Sequence, residues 1–182
     1  MDRLIAFFVL ACLAPLIFLL LLITMFDLKC SPVFAQKRTV NGEKIFNFYK
    51  IRSMRKGAPV IPTPEFNEPH LYISRWGKFL RSNSLDELLN LICIIEGNMN
   101  FIGPRPIMMS ELELLNLRKQ YKIIGKPGIT GLAQINGRDI ITMKRKVACE
   151  RIYEQRKSSL KFRTNIFLMT IVIVFKKSGI AH

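Results

Sequence analysis

The sequence predicts an α+β, helix-dominated fold with an apolar anchoring segment over residues 1–30 and a basic domain over residues 31–182. Three observations carry this. Leu4 to Phe26 is almost wholly apolar, Asn41-Gly42 sits between two strand-like stretches, and most of the chain after Ser74 has helical patterning. At 182 residues the chain is long enough for a modest core.

The amino-terminal run has the roughly 20 apolar residues that a membrane-crossing helix needs. A secretory signal has a shorter apolar core, about 7–15 residues, so an anchor is favoured over a cleaved leader although Val33-Phe34-Ala35 imitates a cleavage site. Pro15 lies near the middle of the run. It lacks an N–H for the helical ladder and crowds the preceding turn, which predicts a kink or break. A kinked span and a re-entrant hairpin fit the residues equally well, because neighbours satisfy freed backbone groups in either. Arg3 before the run and Lys29, Lys37 and Arg38 after it put positive charge on both flanks.

Val33 to Met54 reads as a two-stranded unit turning at Asn41-Gly42, with Ile45 to Ile51 as its aromatic-rich second strand. Gly57 to Pro69 holds Pro59, Pro62, Pro64 and Pro69 and reads as a loop suited to covering a site. An amphipathic helix is predicted over Ile107 to Tyr121, with Arg118 and Lys119 on its charged face. A loop follows over Lys126 to Gly131, then a helix over Thr142 to Tyr153. Ile166 to Phe175 is too short to cross a bilayer and is either a core helix or an interfacial one.

Composition narrows the partners. Twenty-eight Lys and Arg stand against 13 Asp and Glu, a net charge of +15, yet the mean hydropathy is +0.21. That pairing suits a protein seated on an anionic membrane surface better than a freely soluble one. Residues 144–163 carry eight basic side chains, and beside an apolar run they favour anionic lipid headgroups. No recognition-helix motif or zinc spacing supports nucleic acid as a partner. The four cysteines are scattered and fit neither a zinc site nor a disulfide framework. His70 and His182 are too few for a His-based triad. A homodimer is neither required nor excluded by the sequence.

The chemistry concentrates between Ser84 and Pro106. Ser84 followed by Glu87 makes a capping box, and acids in a first helical turn complement the helix dipole, so the plain structural reading accounts for this tetrad alone. The same placement suits reaction: an Asp kept ionised at a helix start is able to attack phosphorus. A carboxylate beside it helps hold Mg²⁺, whose hard oxygen ligands suit a diphosphate. Asp86 and Glu87 are therefore the candidate catalytic and metal-binding pair. Arg81, Arg105 and Arg138 are candidate phosphate ligands, Arg105 held stiffly by Pro104 and Pro106.

Taken together, several blocks resemble a family. They are the apolar segment with Pro15, Tyr49 to Met54 with Arg52 inside it, Arg81 to Leu88, Gly97 to Pro106, Lys126 to Arg138 and Lys177 to Ile180. Their order and spacing are similar to those of bacterial sugar transferases of the monotopic phosphoglycosyl transferase type. The resemblance implies transfer of a phospho-sugar from a UDP-sugar to a polyprenol phosphate, undecaprenyl phosphate, at the cytoplasmic face of the bacterial inner membrane. It implies Asp86 as nucleophile, Glu87 as an Mg²⁺ ligand, and a membrane segment that is re-entrant and broken at Pro15. It adds Arg52 to the candidate phosphate ligands. Asn98, Asn100, Glu150 and Arg163 depart from the family pattern. These departures imply altered sugar or lipid preference, or a catalytically weakened paralogue acting as a membrane interaction protein.

Overall fold

The computed structural model describes residues 1–59, 69–137 and 141–176. The chain forms two compact units. The first comprises Met1–Gln36 with Asn47–Glu96, the second Lys37–Phe46 with Gly97–His182. The architecture is helix-dominated with one small hairpin, as the sequence predicts. The hairpin pairs β1 (Val33–Thr39) with β2 (Ile45–Ile51) around a turn containing Gly42 at φ +88°. In that turn Gly42 N–H donates to Thr39 Oγ1 at 2.8 Å and Glu43 N–H to Asn41 Oδ1 at 3.2 Å. Its open end counts with the first unit and its turn with the second.

In the first unit, α1 (Asp2–Leu28) runs as one 27-residue helix with Pro15 inside it. Pro15 lies inside this single element, and residues on both sides of it belong to one packed cluster. Leu10, Leu13, Ile17, Leu20 and Leu21 form one stripe along α1. It packs with Ile51 of β2, with Trp76 and Leu80 of α3 (Arg75–Ser82), and with Leu85, Leu88 and Leu89. Trp76 Nε1 donates to Thr24 Oγ1 at 2.9 Å, and Thr24 Oγ1 donates in turn to the Leu20 carbonyl at 2.8 Å. Ser74 caps α3 by accepting from Gly77 N–H at 2.9 Å, while its hydroxyl donates to Asp27 Oδ2 at 2.5 Å. The opposite side of α1 exposes large apolar residues, among them Phe7, Phe8, Phe18, Leu19 and Phe26. α1 is the helix long and apolar enough to cross a membrane among the described residues. The short α2 (Pro69–Tyr72) precedes α3, and α4 (Asn90–Ile95) closes the unit.

In the second unit, β3 (Asn100–Ile102) and β4 (Gly128–Thr130) pair in parallel, Asn100 with Gly128 and Ile102 with Thr130. α5 (Leu112–Gln120) lies between them in sequence. The loop expected over Lys126 to Gly131 is therefore partly a strand. Three residues are too few to show alternation, and the signal lay instead in the glycines. A Cβ on Gly128 would meet the Gly103 backbone nitrogen at 2.1 Å, so both glycines permit a backbone approach that no side chain allows.

α5 also begins later than predicted. Ile107 is bridged to Thr39 by two backbone hydrogen bonds of 2.9 and 2.8 Å, which holds the chain extended past Pro106. Arg118, expected on the charged face, is buried at 1% exposure. Its guanidinium grips Glu150 of α7 (Met143–Arg156) with two nitrogens, Nε to Oε2 at 2.8 Å and Nη2 to Oε1. It also donates to the carbonyls of Val40 at 3.1 Å and Arg105 at 2.9 Å. Glu150, a departure from the family pattern, thus has a structural partner.

Tyr153 donates to the Ile102 carbonyl at 2.7 Å and packs with Ile166 of α8 (Leu160–Lys176). The four-residue α6 (Leu132–Ile135) completes this cluster. Most of α8 is apolar and outward-facing, including Leu160, Phe167, Leu168 and Val174.

Breaking a buried ion pair from one side leaves a charge without compensation, at a cost of about 3–5 kcal/mol. Glu150→Met should accordingly lower the thermal midpoint by roughly 6–20 °C at about 2–4 °C per kcal/mol. Thermal unfolding of the detergent-solubilised protein checks this, and an unchanged midpoint contradicts the clamp.

Candidate active site

β2 places the first component. Its inward positions Phe46 and Phe48 are buried, and the next inward position is Lys50. A lysine on the core side of an alternating strand demands an anionic partner. Lys50 Nζ donates to Glu87 Oε1 at 2.9 Å and lies 3.5 Å from Asp86 Oδ2. It also sits 5.5 Å from the centroid of the Phe48 ring. The two candidate carboxylates therefore converge on one cation. Sequence reasoning gave Lys50 no role, although its phase in the strand was the available signal.

The local backbone of the pair differs from expectation. Ser84 has φ 55° and ψ 21°, a left-handed conformation, and makes no side-chain cap. A capping box needs an extended N-cap residue, so it does not form. Leu85–Glu87 is a single 3-10 turn that closes with the Glu87 N–H donating to the Ser84 carbonyl at 3.3 Å. The Glu87 carboxylate is committed to Lys50 instead.

Electrostatics correct a second expectation. A first-turn Asp was expected to stay readily ionised, but burial pushes the Asp86 carboxyl above its ordinary value. Lys50 opposes that rise, the Glu87 charge adds to it, and Arg81 opposes it more weakly. Desolvation outweighs the dipole of a three-residue turn. Arg81, at the end of α3, thus acts on the Asp86 charge, while its Nη1 lies 4.0 Å from Met54 Sδ.

The other predicted arginines are placed differently. Arg52 donates to the carbonyls of Ser31 at 2.7 Å and Val33 at 3.4 Å and lies over the Phe34 ring, fastening the segment after α1 to β2. Arg105 belongs to the second unit, where its carbonyl accepts from Arg118. Arg138 lies outside the described residues, as does most of the proline-rich loop.

Among the described residues, no three His, Cys, Asp or Glu side chains gather as a metal site. Two carboxylates that share one cation do fit Mg²⁺, which commonly takes one or two carboxylates and completes its shell with water and phosphate oxygens.

One long apolar helix and one buried acidic pair thus belong to the same packed unit. The bacterial sugar transferase family matches residues 1–177, and the chain belongs to that family. It is 31% identical to the exopolysaccharide production protein ExoY of Sinorhizobium fredii, over 96% of this chain and 80% of the relative. It is 32% identical to the galactosyl transferase CpsE of Streptococcus agalactiae, over 81% of this chain but 35% of that protein. It is 35% identical to the UDP-glucose:undecaprenyl-phosphate glucose-1-phosphate transferase of Xanthomonas campestris, over 78% of this chain and 31% of that protein. The chain therefore spans most of the first relative and about a third of the other two.

The raised Asp86 value has a consequence for stability. Its proton is held more tightly in the folded protein than in the unfolded chain. The contribution is therefore complete below the ordinary aspartate value and is lost as pH rises through the folded one. Asp86→Asn removes that loss, so it should melt at or above the unsubstituted protein at pH 7. The difference should shrink as pH falls to about 4. Thermal midpoints across pH check this, and a variant that melts well below the parent at pH 7 contradicts it.

Proposed function

We propose that the protein transfers a phospho-sugar from a UDP-sugar to undecaprenyl phosphate, opening the assembly of a surface polysaccharide or glycoconjugate. The observation that carries this is the buried Asp86–Glu87 pair under Lys50, built into the same unit as α1. The names of the relatives support the substrates, since the Xanthomonas protein's own name states a UDP-glucose donor and an undecaprenyl-phosphate acceptor.

In this reading an Asp86 carboxylate oxygen attacks the sugar-bearing phosphorus of the donor. The bond from that phosphorus to the bridging oxygen breaks, and UMP leaves with the electron pair. An oxygen of undecaprenyl phosphate then attacks the same phosphorus and Asp86 departs, which restores the carboxylate and gives a ping-pong reaction. Lys50 and Arg81 oppose the rise that burial imposes on the Asp86 carboxyl. Arg81 also offers a guanidinium to the donor's phosphates. Asp86 and Glu87 would hold Mg²⁺, which neutralises diphosphate charge when bound.

Packing supports one membrane geometry. A straight span needs roughly 20 residues free for lipid. The stripe from Leu10 to Thr24 is engaged by a unit that carries charged side chains, and Asp27 is bound to Ser74. That supports a re-entrant α1 that dips into one leaflet and keeps the dyad at the cytoplasmic surface of the inner membrane. The outward apolar side chains of α8, together with Arg156, Lys157 and Lys161 near its start, suit an interfacial seat on anionic lipid.

Detergent-solubilised protein given a panel of UDP-sugars should release UMP catalytically only with undecaprenyl phosphate and Mg²⁺ both present. Asp86→Asn should abolish turnover while remaining folded. Near-parental turnover in that variant would remove Asp86 from the chemistry.

A further inference from the structure

Asn90 opens α4 one helical turn after Asp86 and is 0% exposed. Among the described residues neither its Nδ2 nor its Oδ1 has a hydrogen-bond partner, so turning the amide over leaves both ends open all the same. A buried amide with no bond is rare and calls for an explanation.

Its position can be fixed from its neighbours. Leu85, Leu88, Leu89 and Ile92 turn toward the α1 stripe. Asp86, Asn90 and Cys93, at i, i+4 and i+7, lie on another face. That face meets β2 at two points, where Asp86 lies 3.5 Å from Lys50 Nζ and Cys93 Sγ donates to the Asn47 carbonyl at 3.2 Å. Asn90 lies between these two contacts along the chain and is fully buried. The other members of this face are bonded, and Asn90 alone among the three is not.

We propose that Asn90 is a donor to the phosphoryl group while it is carried on Asp86. The inference rests on the transfer reaction proposed above. A phosphoryl group joined to the Asp86 carboxylate enters the same buried layer one turn away and brings acceptor oxygens to the waiting amide N–H. A donor already desolvated and fixed in place needs no rearrangement as charge develops. Because its bond forms only when the phosphoryl group moves, it accelerates the chemical step more than it tightens donor binding.

Asn90→Leu tests this, since leucine has nearly the same volume and no polar atoms. Removing an orphan amide should raise the thermal midpoint by roughly 2–4 °C. At the same time kcat should fall at least about tenfold, with KM changed by less than about threefold. Asn90→Gln keeps the donor and should fall between the parent and Asn90→Leu. Asn90→Ala carries the same kinetic test should the leucine variant fail to accumulate. Unchanged kcat in a stabilised variant overturns the proposal, because the amide is then only a packing flaw. A lowered midpoint also overturns it, because the amide is then already bonded. An unsubstituted protein that releases no UMP sinks the transfer reading and this inference together, whereas an active parent with an equally active Asn90→Leu sinks this inference alone.

Discussion

One ammonium group held against two adjacent carboxylates is the constraint on which the first unit depends. Asp86 and Glu87 carry like charge at neighbouring positions, and burial alone drives the Asp86 carboxyl toward its neutral form. Lys50 reaches both from β2, where Phe48 and Ile51 on either side of it are buried. The segment bearing the pair has two faces with two tasks. Leu85, Leu88, Leu89 and Ile92 seat it on α1, while Asp86 and Cys93 tie it to β2. The apolar helix and the acidic pair are thereby parts of one packed unit.

The second unit is organised by a cation of a different kind. Arg118 collects the Glu150 carboxylate and the carbonyls of Val40 and Arg105, fixing α5, α7, the hairpin turn and the Gly103–Pro106 turn with one planar group. Arginine suits this because its donors are rigidly arranged and never deprotonate. Glu150 serves that clamp fully. Its departure from the family pattern is thus a matter of how the second unit is built.

What could be read from the sequence follows from how local each signal was. The apolar helix, the hairpin at Asn41-Gly42, the helix after Ser74 and the α7 start at Thr142 rest on patterns a few residues long, and all are present. Features set by distant partners were not legible. The Ser84 cap failed because the backbone there is left-handed, and Glu87 found Lys50, which is 37 residues away. Arg118 looked like a surface charge because its carboxylate lies 32 residues further on. The parallel β3–β4 pair was hidden behind two glycines that read as loop punctuation. Pro15 signalled a kink or break, and α1 runs through it as one element with Leu10, Leu13, Ile17 and Leu20 packed on both sides.

The central claim is that Asp86 carries the phosphoryl group between donor and acceptor. The most direct measurement is mass spectrometry of the protein quenched after exposure to a UDP-sugar and Mg²⁺ with undecaprenyl phosphate withheld. The account predicts a gain equal to one sugar phosphate, localised to the peptide containing Asp86 and discharged on addition of undecaprenyl phosphate. Turnover without any such adduct, or an adduct on a different residue, would contradict it.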